Sequence, residues 1–277
     1  MHFHPLPTVV ISSLAQNSCR AAVQALELGA VEVLPKPGGP YSVGELRNSL
    51  APKIRAAAAS HLRRPAPAAP SQSSPTANRP LLPAGTVIAM GASTGGTEAI
   101  SAVLTRLPAS TPGIVVAQHI PPEFSRAFAN RLNEICAIDV KEAQDGDTLR
   151  PGLALIAPGN FHMLVRKSEG GYFVKIKTGP RVCYQRPSVD VLFLSVAETA
   201  GRDAVGVLLT GMGADGSQGL LAMCRAGART IAQDEATCVV FGMPREAIAL
   251  GAAEQVLPLA TISDAILRAR DPGLFPT

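Results

Sequence analysis

The chain predicts an α/β protein. Its main part is a three-layer α/β/α domain on a mostly parallel sheet with a small antiparallel hairpin insertion, preceded by a partial βαβα fragment. Three observations carry this expectation. From residue 86 onward, short β-branched apolar runs alternate with stretches whose apolar residues recur at helical spacing, the pattern of strands joined through crossover helices. The stretch TVIAMGASTGGTEAISAVL, residues 86 to 104, reads as buried strand, glycine-bounded turn and helix. Between this domain and a shorter first segment lies HLRRPAPAAPSQSSPTANRPLLPAG, residues 61 to 85, which holds six prolines among alanine and serine and reads as a linker.

Residues 1 to 60 predict strand, helix, strand, helix: Thr8 to Ser12, Ser18 to Leu28 closed by Gly29, Val31 to Leu34, and Val43 to Ala59. Two strands and two helices bury too little to stand alone, so this segment is expected either to dock on the rest of the protein or to be loosely ordered. Residues 86 to 277 form the second domain. After Thr86 to Met90 and the helix carrying Glu98, Ile100, Val103 and Leu104 comes the strand Ile114 to Gln118. A helix begun by Pro121-Pro122 follows, then a short strand near Ile138 to Lys141. Leu153 to Ala157, Phe161 to Arg166 and Tyr172 to Lys177 are short runs joined by Pro158-Gly159-Asn160 and Gly170-Gly171, which predicts the antiparallel insertion. Ser188 caps a helix from Val189 to Thr199, and Ala204 to Thr210 is the next strand. After Gly211-Met212-Gly213-Ala214-Asp215-Gly216 and a helix from Ser217 to Ala226, the chain closes with Thr230 to Ala232, Arg245 to Leu250, Gln255 to Leu257 and Ile262 to Arg268.

Charge and composition narrow the function. The net charge of +4 over 277 residues is unevenly placed. Residues 1 to 85 carry eight Lys/Arg against three acids, whereas residues 86 to 277 carry seventeen against eighteen. The larger domain is nearly neutral and poor in aromatics, which argues against nucleic-acid binding. No run of about 18 apolar residues crosses a membrane, and MHFHPLPT lacks the charged start and apolar core of a signal peptide, so a cytoplasmic protein is expected. Cys19, Cys136, Cys183, Cys224 and Cys238 are scattered and form no C-x-x-C pair, which points to small core residues or inert thiols rather than zinc or redox chemistry.

The turn after the first strand of the larger domain admits several chemistries. Gly91-Ala92-Ser93-Thr94-Gly95 satisfies G-x-S-x-G, in which small neighbours let the chain turn sharply and lift a serine hydroxyl above the sheet. The same letters suit a dinucleotide pyrophosphate at a helix N-terminus. That reading requires an acidic residue after the second strand, yet Ile114 to Gln118 ends in Gln118-His119. It also requires Tyr-x-x-x-Lys, and Tyr41, Tyr172 and Tyr184 are followed four places on by Glu45, Ile176 and Ser188. A P-loop would need a lysine that Gly96-Thr97 lacks. A glycine-rich turn serving only tight helix-sheet packing stays open on the motif alone.

A serine nucleophile needs a base, and the base a partner to fix its tautomer. His119 follows a buried strand at its carboxyl end, and His162 begins a hairpin strand. Asp215 lies in the glycine-rich loop after another strand. Ser93, His119 and Asp215 therefore each follow a separate predicted parallel strand, where α/β sheets bind ligands. Their order along the chain departs from ordinary α/β-hydrolases, in which the acid precedes the histidine.

GASTGGTEAI, QHIPPEFSRAFANRLN, APGNFHMLV, RPSVDVLFLSVA, LLTGMGADGSQGL and QDEATCVVFGMPREAI together resemble the catalytic domain of the protein-glutamate methylesterases of bacterial chemotaxis. The resemblance runs through nearly all of residues 86 to 260. It implies hydrolysis of glutamate γ-methyl esters on methylated receptor helices, releasing methanol, with deamidation of receptor glutamines often alongside. It implies Ser93 as nucleophile, His119 as base and then acid, Asp215 as the residue orienting the imidazole, and backbone N–H groups at Met212 and Thr94 beside the oxyanion. No metal or organic cofactor is implied.

PTVVISSL and ALELGAVEVLPKP resemble the last third of a response-regulator receiver, with Ser12 and Lys36 before Pro37 where that family attends an aspartyl phosphate. The strand that would carry the phosphorylated aspartate is absent, so phosphotransfer from a histidine kinase is not expected, and the chain should lack the phosphorylation switch of its family. Two other classes remain as alternatives: a short-chain-type dinucleotide oxidoreductase and a catalytically silent receptor-binding module.

Overall fold

A computed structural model describes residues 6–13, 15–37, 43–60, 82–83 and 85–270. Of the expected 61–85 linker, all but 82–83 and 85 lie outside the described residues. Strands β3 (Val87–Ala92), β4 (Ile114–Gln118), β5 (Asp139–Glu142), β6 (Leu153–Ile156), β9 (Ala204–Leu208), β10 (Arg229–Gln233) and β11 (Gln255–Leu257) form one seven-stranded sheet. Its order is β11-β10-β9-β3-β4-β6-β5, and every pairing in it is parallel. This sheet starts at its centre with β3, adds β4, places β5 at the edge and β6 between β4 and β5, then returns to the other side of β3 with β9. Strand order thus reverses beside β3, and the crevice at that switch point is where such sheets bind ligands.

Alternation along the central strands sorts their side chains between two layers. Ile88, Met90, Ala92, Ile114 and Val116 face one core with Ile100, Val103 and Leu104 of α3 (Gly96–Leu104), Phe128 and Leu132 of α4 (Phe124–Ile135), and Ile262 and Ile266 of α8 (Leu259–Leu267). Val87, Ala89, Val115 and Ala117 face the other with Val189, Leu192 and Phe193 of α5 (Val189–Thr199), Leu220 and Met223 of α6 (Ser217–Arg225), and Met243 and Ala247 of α7 (Met243–Ala249). Among the described residues no helix is long and apolar enough to cross a membrane.

The expected insertion is smaller than the sequence suggests. Strands β7 (His162–Ser168) and β8 (Gly171–Lys177) form an antiparallel hairpin, but Leu153–Ile156 pairs in parallel with both β4 and β5. Leu-Ala-Leu-Ile is a continuous apolar run buried at all four positions, as a central parallel strand requires, whereas a half-exposed hairpin strand would alternate. Helices α7 and α8 begin at Met243 and Leu259, earlier than the expected Arg245 and Ile262. Pro244 lies in the first turn of α7, where a missing N–H breaks no helical bond.

The first segment comprises β1 (Val9–Ser12), α1 (Gln16–Glu27), β2 (Glu32–Pro35) and α2 (Val43–Ala58), with β1 and β2 paired in parallel. Of the two outcomes expected for it, docking is the one found. Cys19, Ala22, Val23 and Leu26 of α1 and Val33 of β2 belong to the same buried cluster as the α3 and α4 side chains.

Candidate active site

Packing dictates the turn that follows β3. A Cβ on Gly91 would stand 2.1 Å from Val189 Cγ1, and Gly95, at φ +75°, could carry one only 2.5 Å from Val239 Cβ. Glycine at both positions lets the backbone turn between α5 and the 239 segment. Ser93 is held on both sides of that turn: its N–H donates to Thr210 O (3.0 Å), and its carbonyl accepts from Gly96 N (2.7 Å) and Gln118 Nε2 (2.8 Å). The neighbours of β3 on either side, β4 and the segment after β9, thus fix the serine directly.

His119 is the first residue beyond β4, and its N–H donates to Ala92 O at 3.1 Å. Its buried ring places Nε2 2.7 Å from Asp215 Oδ2. An ionised carboxylate only accepts, so Nε2 carries a proton, which in the neutral imidazole puts the lone pair on Nδ1. Nδ1 is buried and has no hydrogen-bond partner among the described residues.

Asp215 is the most heavily bonded side chain of the site. Oδ2 accepts from His119 Nε2 and Val189 N (2.8 Å), and Oδ1 from Ser188 Oγ (2.8 Å) and Asp190 N (3.0 Å). Three of these four donors belong to the first turn of α5 and its N-cap Ser188, where unpaired N–H groups and the helix dipole favour an anion. Burial acts to raise the Asp215 pKa, but the bond and charge of His119, with the Asp190 N–H and Ser188 hydroxyl, outweigh it and hold the carboxyl below the usual aspartate range. Asp190 returns the arrangement: its Oδ1 accepts from Gly219 N (2.7 Å) in the first turn of α6, the helix that follows Asp215. Burial, chiefly, pushes the Asp190 carboxyl up. Each helix is capped by an acid attached to the other.

Gly211 brings the loop after β9 against the serine, since a Cβ there would lie 2.7 Å from Ser93 Cβ. Gly211 N donates to Val240 O, and its carbonyl accepts from Gly242 N and Met243 N. Met212 follows it, with its side chain partly exposed. Among the described residues, the N–H groups of Thr94 and Met212 donate to no other group. The Thr94 hydroxyl is taken by the first segment: Oγ1 donates to Glu32 Oε2 at 2.8 Å, and Lys53 Nζ lies 3.0 Å from Glu32 Oε1.

Of the three strand-end residues expected to act together, His119 and Asp215 are joined side chain to side chain, and Ser93 follows Ala92, whose carbonyl accepts from His119 N; His162 lies elsewhere. Its Nδ1 accepts from Ser188 N (3.2 Å) and its Nε2 faces Pro180 O (2.9 Å), which makes it a brace for the α5 N-terminus. Ser188 is legible in the sequence as a helix cap but not as a donor to Asp215, and the parts of Asp190 and Glu32 are not legible there. The spacing of Ser188 and Asp190 in RPSVD is the one local signal for the first two; Glu32 had none. Cys183 Sγ and carboxylate oxygens of Asp190 and Asp215 lie within 4.8 Å of one another. Both Asp215 oxygens already face two donors each, so this trio does not suit a cation.

Residues 88–266 match the family model described as CheB methylesterase. A protein-glutamate methylesterase/protein-glutamine glutaminase from Syntrophus aciditrophicus is 50% identical over 270 residues, covering 97% of this chain and 79% of that protein. The protein of the same description from Salmonella typhimurium is 51% identical over 271 residues, covering 96% and 76%. The Thermotoga maritima CheB methylesterase catalytic domain superposes with a TM-score of 0.65 at 37% identity, covering 67% of this chain and 98% of that one. These likenesses support the esterase expectation over the dinucleotide and silent-module alternatives. A hydrolase fold with a parallel sheet, a serine turn at its switch point and half its residues shared with methylesterases leaves one assignment: the chain belongs to the CheB methylesterase family.

Proposed function

We propose that this protein removes methyl esters from glutamate side chains of methyl-accepting chemotaxis receptors, releasing methanol, and that the same site deamidates receptor glutamines. Ser93 is the nucleophile, His119 the base and then the acid, and Asp215 the residue that orients the ring. The observation carrying this is the 2.7 Å bond from His119 Nε2 to Asp215, which leaves a buried, unpaired Nδ1 at the end of the strand beside Ser93.

In this reading Nδ1 takes the Ser93 proton as Oγ attacks the ester carbonyl, and the imidazolium is stabilised by an Asp215 held anionic at neutral pH. The N–H groups of Thr94 and Met212 hold the oxyanion. Nδ1–H then protonates the leaving methanol, or ammonia from an amide, and water resolves the acyl-enzyme by the same path in reverse. No step calls on a group outside the chain except substrate and water.

The domain reading accompanies this: residues 1 to 60 are the last third of a receiver-like unit, 61 to 85 a linker and 86 to 277 the catalytic domain, working in the cytoplasm. Residues 1 to 60 contain no aspartate, so phosphotransfer from a histidine kinase finds no acceptor in that segment.

Replacement of Ser93 by Ala should lower turnover by on the order of 10⁴- to 10⁶-fold and abolish labelling by a serine-directed phosphonate. Substantial methanol release from a methylated receptor by Ser93→Ala, with loss in His119→Ala, would overturn the assignment of roles.

A further inference from the structure

A tight turn beside Asp215 is unused by this mechanism. Val182 and Gln185 exchange both backbone hydrogen bonds (3.1 and 2.8 Å) and enclose a two-residue hairpin turn made of Cys183 and Tyr184. Both central residues have positive φ, +49° and +63°. That geometry belongs to Asn-Gly turns, and here it is imposed on a cysteine and an aromatic, so the conformation is strained and must be held by its surroundings.

The restraints are present. Arg186 donates from Nε (3.1 Å) and Nη2 (2.7 Å) to Asn160 Oδ1 and from Nη1 to the Gly179 carbonyl. Asn160 N–H donates to the Arg186 carbonyl, and His162 ties Pro180 to Ser188. The base of the turn is anchored on the triad's own support, and Cys183 Sγ stands within 4.8 Å of an Asp215 carboxylate oxygen. Yet the turn gives its second side chain nothing to pack on: Tyr184 is 90% exposed, the most exposed large hydrophobic residue among those described. Phe161 and Met212, on the loops after β6 and β9, are also exposed large apolar side chains.

We propose that Tyr184 is a specificity-determining residue whose ring packs against the polypeptide flanking the ester-bearing side chain, so that the enzyme favours esters on a protein over small soluble esters. This rests on the esterase reading above. A strained, braced turn presents the ring already ordered, so binding does not have to immobilise a loop, and a tyrosine supplies a large amphipathic contact area with few rotatable bonds.

The test compares two substrates on the same enzyme: methanol release from a methylated receptor and hydrolysis of p-nitrophenyl acetate. With Tyr184→Ala, the ratio of the protein kcat/KM to the small-ester kcat/KM should fall about tenfold or more, mainly through KM for the protein. Tyr184→Phe, which keeps the ring, should hold the ratio within about twofold of wild type. A Tyr184→Ala ratio unchanged within about twofold, or a parallel fall on both substrates, overturns the proposal, since the second would mean the turn merely supports the triad. Equal damage from Phe and Ala also overturns it, because the hydroxyl and not ring packing would then be what is recognised. Wild-type enzyme that neither releases methanol nor takes a phosphonate on Ser93 would instead sink the esterase reading, so the two failures are distinct.

Discussion

Replacing Asp215 with Asn keeps the size of the side chain and changes one acceptor into a donor, and the hydrogen bonds around it determine the damage. Each carboxylate oxygen accepts from one backbone N–H: Oδ2 from Val189, Oδ1 from Asp190. Neither N–H can reverse, so whichever way the amide points, its NH₂ faces one of them. If the NH₂ replaces Oδ1, the Ser188 hydroxyl can turn to accept, but Asp190 N–H is stranded. If it replaces Oδ2, Val189 N–H is stranded and His119 must present a lone pair at Nε2, moving its proton to Nδ1 and removing the lone pair that the proposed mechanism uses there. One stranded buried N–H costs about 1–3 kcal/mol, and loss of charge assistance weakens the remaining bonds. For a chain of this size a loss of about 2 kcal/mol lowers Tm by about 4–8 °C. A wrong imidazole tautomer in a serine triad lowers kcat by about 10⁴-fold. Stability should also respond to pH. Because the folded pKa lies below that of the unfolded chain, ionised Asp215 adds stability above the unfolded value near about 3.9, and this fades as pH falls toward the lower folded value. Asp215→Asn should flatten that acid-side decline. Methanol-release kinetics at pH 7 and thermal melts from pH 3 to 7 give both readouts. A kcat within about tenfold of wild type would show that the amide does not turn its NH₂ toward His119 Nε2 and refute the reasoning.

Two further changes probe contacts around the serine. Gly211→Ala sets a Cβ 2.3 Å from buried Met243 Sδ and 2.7 Å from Ser93 Cβ, so the serine or the loop must move; kcat should fall about 100-fold with about 1–3 kcal/mol of stability, and an unimpaired kcat would show that this approach does not set the Ser93 position. Glu32→Ala leaves the Thr94 hydroxyl and Lys53 ammonium without their shared acceptor; loss of about 1.5 kcal/mol of docking should speed trypsin cleavage at Arg55 about tenfold, and an unchanged rate would mean that apolar packing of α1 alone holds the first segment.

The sheet and the site differ in how far the sequence reveals them. Strands β3, β4 and β9 are short β-branched runs buried on both faces, so hydrophobicity and length suffice to find them. Leu153–Ile156 shows the limit of that signal, because a four-residue apolar run does not say whether its partners lie next to it in sequence or forty residues away. Likewise Ser93, His119 and Asp215 are visible because each follows a strand, and strand ends in a parallel sheet converge. The residues that fix Asp215 are hidden for the opposite reason: Val189 and Asp190 act through backbone N–H groups that every residue possesses, and only tertiary packing aims them.

That packing explains why the site can be built on loops and still be rigid. Asp215 caps α5 and Asp190 of α5 caps α6, so the two helices cannot slide past one another without unpairing buried carboxylates. Gly219 permits the close approach this requires, since a Cβ there would meet Phe193 Cβ at 2.6 Å and Asp190 Cα at 3.1 Å. Both carboxylates are nearly inaccessible to water, where charge-assisted bonds are strong and an unpaired charge is costly, so the reciprocal caps stand or fall together. The orientation of His119 is thus a consequence of how α5 and α6 meet, and any substitution that separates those helices should misalign the imidazole even where it touches none of the three strand-end residues.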